Sequence, residues 1–261
     1  MQLTRSDIDE GRRFGAAQDP IHIATQQRTT MPKFDITKLN VAVDRLLEQT
    51  ENPRHRFMLM AYGRHRYLEV AGRYKEIFAP DMTVGRPVYH LNVNGNEIEL
   101  KGEERVKSLY RMWAETHQSI FYVQDEQVAV CDNYVLSVAG TLYQQVSGKS
   151  IRANKWLSFL PKRLTQRLLE MVLDQKHHHS DPDDMYLYKT VGLQMIWPYD
   201  DRGRLIGEDV YEPRIAEAEL IKLAPDEVLT TEASGRLLSP LIKPLPAYDD
   251  VVRGKTAVAF A

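Results

Sequence analysis

The period of the apolar positions changes twice between residues 80 and 146. PVYHLNV alternates as a strand does, Asn94-Gly95 is a strong two-residue turn signal, and NEIEL alternates again. After Gly102 the apolar residues Val106, Leu109, Tyr110 and Trp113 recur at helical spacing. The run SIFYVQDEQVAVCDNYVLSVAGTLYQQ then predicts two long strands.

On the N-terminal side, residues 1–35 are polar and uneven and read as an arm. A helix is expected after Asp35, and Pro53, tolerated in a first turn, opens a second one running to Phe78. That second helix carries Met58, Tyr62, His65 and Glu69 as one stripe. Residues 149–184 read as an inserted helix followed by a polar loop. MYLYKTVGLQMIWPYDDRGRLIGEDVYEP predicts a hairpin turning at Asp200-Asp201-Arg202-Gly203. From Arg214 onwards the chain offers one helical stretch, Ile215 to Leu223, and then LLSPLIKPLPAYDD, whose Leu, Ile and Pro content points to packing on a neighbour.

With 261 residues and 43% apolar content, the chain can bury one large core. Its 34 Lys and Arg stand against 36 Asp and Glu with no long like-charge block, so a polyanionic partner such as nucleic acid is not expected. No apolar run reaches the roughly 18 residues of a membrane span, and the first residues lack the apolar middle of a signal peptide. Cys131, the single cysteine, cannot form an internal disulfide, and a reducing cytoplasm is the expected compartment.

The order of these elements resembles the NTF2-like (SnoaL-like) superfamily. So do Tyr89-His90 on the first strand, the string ETHQSIFYV and the closing acidic-aromatic DVYEP. The resemblance implies an α+β fold: a cone in which a curved antiparallel sheet wraps around N-terminal helices over residues 36–213. Residues 149–184 would be a helical insertion, and residues 214–261 a C-terminal extension. It also implies cofactor-independent acid/base chemistry on a small, largely apolar aromatic molecule and assembly into a homo-oligomer. The expected reaction is a lyase's elimination of water or formaldehyde, as in the gamma-formaldehyde lyases that act on lignin-derived diarylpropanes. A SnoaL-like cyclase, isomerase or epoxide hydrolase, or a non-catalytic ligand-binding module, would suit the same residues.

The candidate catalytic groups are His117, His90, Asp132 and Tyr62. His117 ends a helix where the scytalone dehydratase branch carries a pocket histidine; it can equally be a histidine favoured by the helix dipole. Alternation places His90 with Arg86, Val88 and Asn92, and Tyr89 with Leu91 and Val93, so one of His90 and Tyr89 enters the pocket. On an unbroken strand Asp132 shares a face with Val130, Tyr134 and Leu136 and is buried, with its pKa raised; a turn at Cys131-Asp132-Asn133 would release it to water. His65, Arg64, Arg86, Tyr89, Tyr134 and Trp197 are the expected substrate contacts, with Arg64 or Arg86 steadying a phenolate. Trp197, Tyr199, Asp209 and Tyr211 read as core and rim.

His177-His178-His179 cannot all face one ion on a regular element, and no Cys-rich or HExxH spacing accompanies them, so no metal is expected. GxGxxG, GxxxxGK[ST] and GxSxG are absent from the sequence, which leaves nucleotide cofactors and a nucleophile elbow without support.

Overall fold

The computed structural model describes residues 34–93, 96–153, 181 and 183–253. The Asn94-Gly95 turn and the histidine run therefore lie outside the described residues, as do most of the insertion and the N-terminal arm.

Asp35 accepts a hydrogen bond from Thr37 N and starts only a single turn, Ile36–Lys38. The first helix, α1, is Val41–Gln49. Asn52 caps α2 (Pro53–Val70) by accepting from Arg54 N and His55 N. This helix ends at Gly72, short of Phe78, because the chain turns there through φ +70° and a Cβ would lie 2.2 Å from Thr231 Cγ2. A separate turn, Tyr74–Phe78, follows. α2 is buried nearly all round and is the axis of the core, with the whole stripe Met58, Tyr62, His65 and Glu69 inside.

The strands are β1 (Thr83–Val93), β2 (Asn96–Lys101), β3 (Phe121–Gln124), β4 (Gln127–Cys131), β5 (Tyr134–Val138), β6 (Thr141–Ser147), β7 (Met185–Val191), β8 (Gln194–Pro198), β9 (Leu205–Tyr211) and β10 (Glu219–Lys222). β1 and β2 pair antiparallel with Val93 opposite Asn96, the register a two-residue turn demands. α3 (Glu103–Glu115) buries Val106, Leu109, Tyr110 and Trp113, the four residues its spacing marks. The two long strands expected after α3 are four short ones, β3 to β6, because turns at Asp125-Glu126 and Asp132-Asn133 interrupt the run. Likewise the helix expected over Ile215 to Leu223 is one turn, Ile215–Glu217, followed by β10 pairing with β7.

The fold is α+β. One sheet has the order β2-β1-β9-β8-β5-β4, antiparallel except for the parallel β1/β9 pair. The other runs β10-β7-β6-β3, antiparallel throughout. Gly207 lets β9 approach β1: a Cβ there would lie 1.8 Å from the Val88 carbonyl oxygen, next to the register shift between Thr83 and Val88.

After β6 comes the short α4 (Gly148–Ala153). The C-terminal stretch forms α5 (Thr231–Leu238) and α6 (Tyr248–Val252), and it packs on its own chain rather than reaching outward. Tyr248 meets Phe57 edge to face at 5.1 Å and receives a hydrogen bond from Arg54 Nη1 at 2.9 Å. Leu238 is fully buried, and Ser234 Oγ donates to the Val70 carbonyl. Among the described residues no helix is long and apolar enough to cross a membrane.

Candidate functional site

The two sheets, α2 and α3 enclose a cavity of about 860 Å³, its open mouth included. α2 sends in Tyr62, Arg66 and Glu69 at helical spacing, so all three point one way. Alternation on β1 sends in Tyr89, Leu91 and Val93, and on β9 Glu208 and Val210. α3 supplies Tyr110 and Trp113, β8 supplies Trp197, and β3 supplies Phe121. Farther along lie Tyr188, Thr190 and Glu212.

Several polar groups of the wall are already partnered. Arg66 Nη1 lies 2.9 Å from Glu126 Oε2, with side chains only 2% and 4% exposed. The Ser137 hydroxyl donates to Glu126 Oε1 at 2.5 Å, and the Tyr62 hydroxyl reaches the same oxygen at 3.5 Å. The Arg66 guanidinium lies over the Tyr62 ring, 5.2 Å from its centre. Glu212 Oε1 accepts from the hydroxyls of Tyr188 at 2.6 Å and Thr190 at 2.5 Å.

Glu69 and Glu208 are different. They are 8% and 9% exposed, they line the same cavity, and neither carboxyl hydrogen-bonds to any described residue. Burial pushes the pKa of Glu69 up to about 8 against the pull of Arg66. Glu208 is driven well above the usual carboxylate range by burial first, then by the charges of Glu69 and Asp209. Carboxyl groups kept protonated near neutral pH can give and take protons there, as ordinary carboxylates cannot.

Behind this pair His65 Nε2 lies 3.0 Å from the Tyr110 hydroxyl and 3.9 Å from Glu69 Oε2. Burial, then the charge of Arg66, pulls its pKa down to about 3, so the imidazole is neutral. The Tyr110 hydroxyl donates to that of Tyr89 at 3.3 Å. With Nε2–H donating to Tyr110 and Tyr110 to Tyr89, the Tyr89 proton is left for the cavity. Burial raises both phenols well above their usual pKa, so they remain donors.

The structure thus brings Tyr62, Tyr89 and Trp197 to the cavity wall and sets His65 just behind it. Of the alternatives on β1, Tyr89 points in. His90 points out with its side chain 56% exposed, and its pKa is raised chiefly by the Asp209 carboxylate 2.6 Å from Nδ1. His117 does not reach the cavity either. It closes α3 in the left-handed region (φ 57°), and its Nδ1 accepts from Thr231 N at 3.1 Å, pinning the start of α5. Asp132 occupies the turn between β4 and β5, 89% exposed, 3.0 Å from His55 Nε2. A turn replaces the unbroken strand because a lone carboxylate is far cheaper in water than in the core. Arg64 pairs with Glu76 and the Lys243 carbonyl on the outside of α2. Arg86 and Tyr134 are exposed.

Sequence reasoning placed Glu69 on the right stripe without a role, and passed over Arg66, Tyr110, Glu126 and Glu208. Glu208 was detectable: on a regular strand it shares a face with Val210 and Ile206, a charge within an apolar set. Among the described residues no cluster of three or more His, Cys, Asp or Glu could hold a metal ion.

No family model matches the chain, and no curated protein does. Among solved structures it is similar to a phenazine biosynthesis-related protein from Pseudomonas aeruginosa. The identity is 11%, over 65% of this chain and 82% of that one, with a TM-score of 0.34. So distant a likeness carries no argument about activity.

Proposed function

We propose that this chain is a cofactor-independent acid/base lyase of the NTF2-like cone type, acting on a small, largely apolar aromatic molecule by elimination of water or formaldehyde. One observation carries the reading: two buried carboxyls without hydrogen-bond partners among the described residues, Glu69 and Glu208, face one aromatic-walled cavity. Glu69, the more readily ionised, takes a proton from a hydroxyl or an activated carbon of the substrate. Glu208, protonated, gives one to the departing hydroxyl, which leaves as water. In the formaldehyde variant the base takes the terminal hydroxyl proton, the adjacent C–C bond breaks to release formaldehyde, and its electrons expel the protonated benzylic hydroxyl. Tyr89 steadies developing negative charge on the substrate, held in place by Tyr110 and His65. Each positioned proton-transfer group contributes about 10²- to 10⁴-fold.

The test is a panel of aryl diols, epoxides and enones incubated with the purified protein and with Glu208→Gln. Turnover of a diol that the variant loses supports the reading; turnover confined to epoxides or enones moves it to a hydrolase or an isomerase. A ligand-binding module without chemistry draws on the same apolar walls, and it predicts that panel members bind and return unchanged.

A further inference from the structure

The proposed acid/base reading leaves the charge balance of the cavity unexplained. Three carboxyl groups line it, Glu69, Glu208 and Glu212, against one cation, Arg66. That cation is already neutralised by Glu126, which does not line the cavity. Glu212 has two hydroxyl donors, but among the described residues Glu69 and Glu208 have none, and His65 Nε2, 3.9 Å from Glu69, belongs to a neutral imidazole. What is missing beside these two buried carboxyls is a partner of opposite charge, and an anionic group entering the cavity would find no free cation among the described residues to meet it.

The remaining wall fits a cation too. Tyr62, Tyr110, Trp113, Phe121 and Trp197 present aromatic rings to the same space. Ring faces attract cations, most strongly where water is excluded. We infer that the occupant of this cavity is an aromatic compound bearing a basic nitrogen, whose ammonium group sits between Glu69 and Glu208 while its rings pack against the tryptophans and tyrosines. This deepens the proposed function and rests on it for the location of the site. A bound ammonium supplies hydrogen bonds that both carboxyls lack and favours the ionised form of Glu69, the more readily ionised of the two, while Glu208 keeps its proton. It would thereby hold Glu69 in the state required of a base.

The experiment measures binding rather than turnover, so it stands or falls separately from the catalytic reading. Three two-ring probes of similar size, dibenzylamine (protonated at neutral pH), dibenzyl ether (neutral) and diphenylacetate (anionic), are titrated into the full chain. Binding is followed by the fluorescence of Trp113 and Trp197 and by calorimetry. The amine is expected to bind at least about tenfold more tightly than either analogue. Glu208→Gln and Glu69→Gln, which keep side-chain size, should each erase most of that preference while leaving the ether's affinity unchanged, with melting curves confirming that both variants fold. Equal or tighter binding of the ether or of diphenylacetate overturns the inference, as does binding of none of the three or an amine preference that survives both substitutions. A neutral-ligand preference with diol turnover intact would remove the nitrogen and leave the lyase standing.

Discussion

The guanidinium of Arg66 lies 2.9 Å from the carboxylate of Glu126, and both side chains are almost wholly buried. The pair ties α2, where Arg66 sits, to the turn between β3 and β4 that carries Glu126. Arg66 Nη2 has no hydrogen-bond partner among the described residues, so Glu126 is its main compensation. Glu126→Gln should cost about 3–5 kcal/mol of stability, because it leaves a buried charge uncompensated. Urea denaturation monitored by tryptophan fluorescence checks this, and a loss below about 1 kcal/mol would mean that water reaches Arg66.

Stability should carry the marks of two buried titrating groups with opposite signs. Glu69, with its pKa raised to about 8 from 4.5, keeps its proton in the folded chain when the unfolded chain has lost it. Its effect on stability therefore becomes more unfavourable as pH rises from about 4.5 to about 8. Glu69→Gln removes that effect, so its gain in Tm over wild type should be larger at pH 8 than at pH 5. His65, lowered to about 3 from 6.5, refuses a proton that the unfolded chain accepts, and stability is lost as pH falls below about 6.5. His65→Gln loses the bond to Tyr110, but its Tm relative to wild type should improve from pH 8 to pH 5. Differences independent of pH would mean that neither group is buried as described.

His117→Ala should lower stability by about 1–3 kcal/mol, since it leaves the Thr231 N–H without its acceptor where α5 begins. His90→Ala, on the exposed face, should change stability by less than about 1 kcal/mol. Paired thermal melts of the two variants separate these outcomes.

The legible part of the site was the part written in a regular period. The α2 stripe put Tyr62, His65 and Glu69 on one face, a ligand wall or a lid surface, and the structure buries it; β1 alternation reduced the choice to His90 or Tyr89. What selected Tyr89 is tertiary: Asp209 on the neighbouring β9 gives His90 a partner on the outer face. Asp132 was left between a buried strand face and an exposed turn, and Glu126 was missed, because both depend on where the run from Phe121 to Ser147 turns. The polar breaks Gln124-Asp125-Glu126-Gln127 and Asp132-Asn133 read either as turns or as solvent-facing positions of a longer strand. Arg66 sits one residue from the stripe, and its burial depends on Glu126, 60 residues away.

Outward-facing apolar residues remain on the larger sheet: Tyr134 and Val138 on β5, Ile196 on β8 and Tyr211 on β9 are 44%, 42%, 36% and 49% exposed. Val138 and Tyr211 share a row across Gln194, with Ile196 in the next. Such a patch favours self-association through this face. Light scattering at micromolar concentration should show an oligomer that Ile196→Lys weakens; a monomeric wild type would refute it.

The pair Glu69 and Glu208 is the centre of the account. Steady-state kcat/KM on the best diol of the panel, measured for wild type, Glu208→Gln and His90→Ala across pH 6 to 9.5, tests it most directly. The wild-type rate should rise as Glu69 loses its proton, through about pH 8. Glu208→Gln should lose at least about 100-fold, and His90→Ala should stay within about twofold of wild type because it lies outside the cavity. A Glu208→Gln enzyme that keeps its rate, beside a His90→Ala enzyme that loses it, would contradict the account.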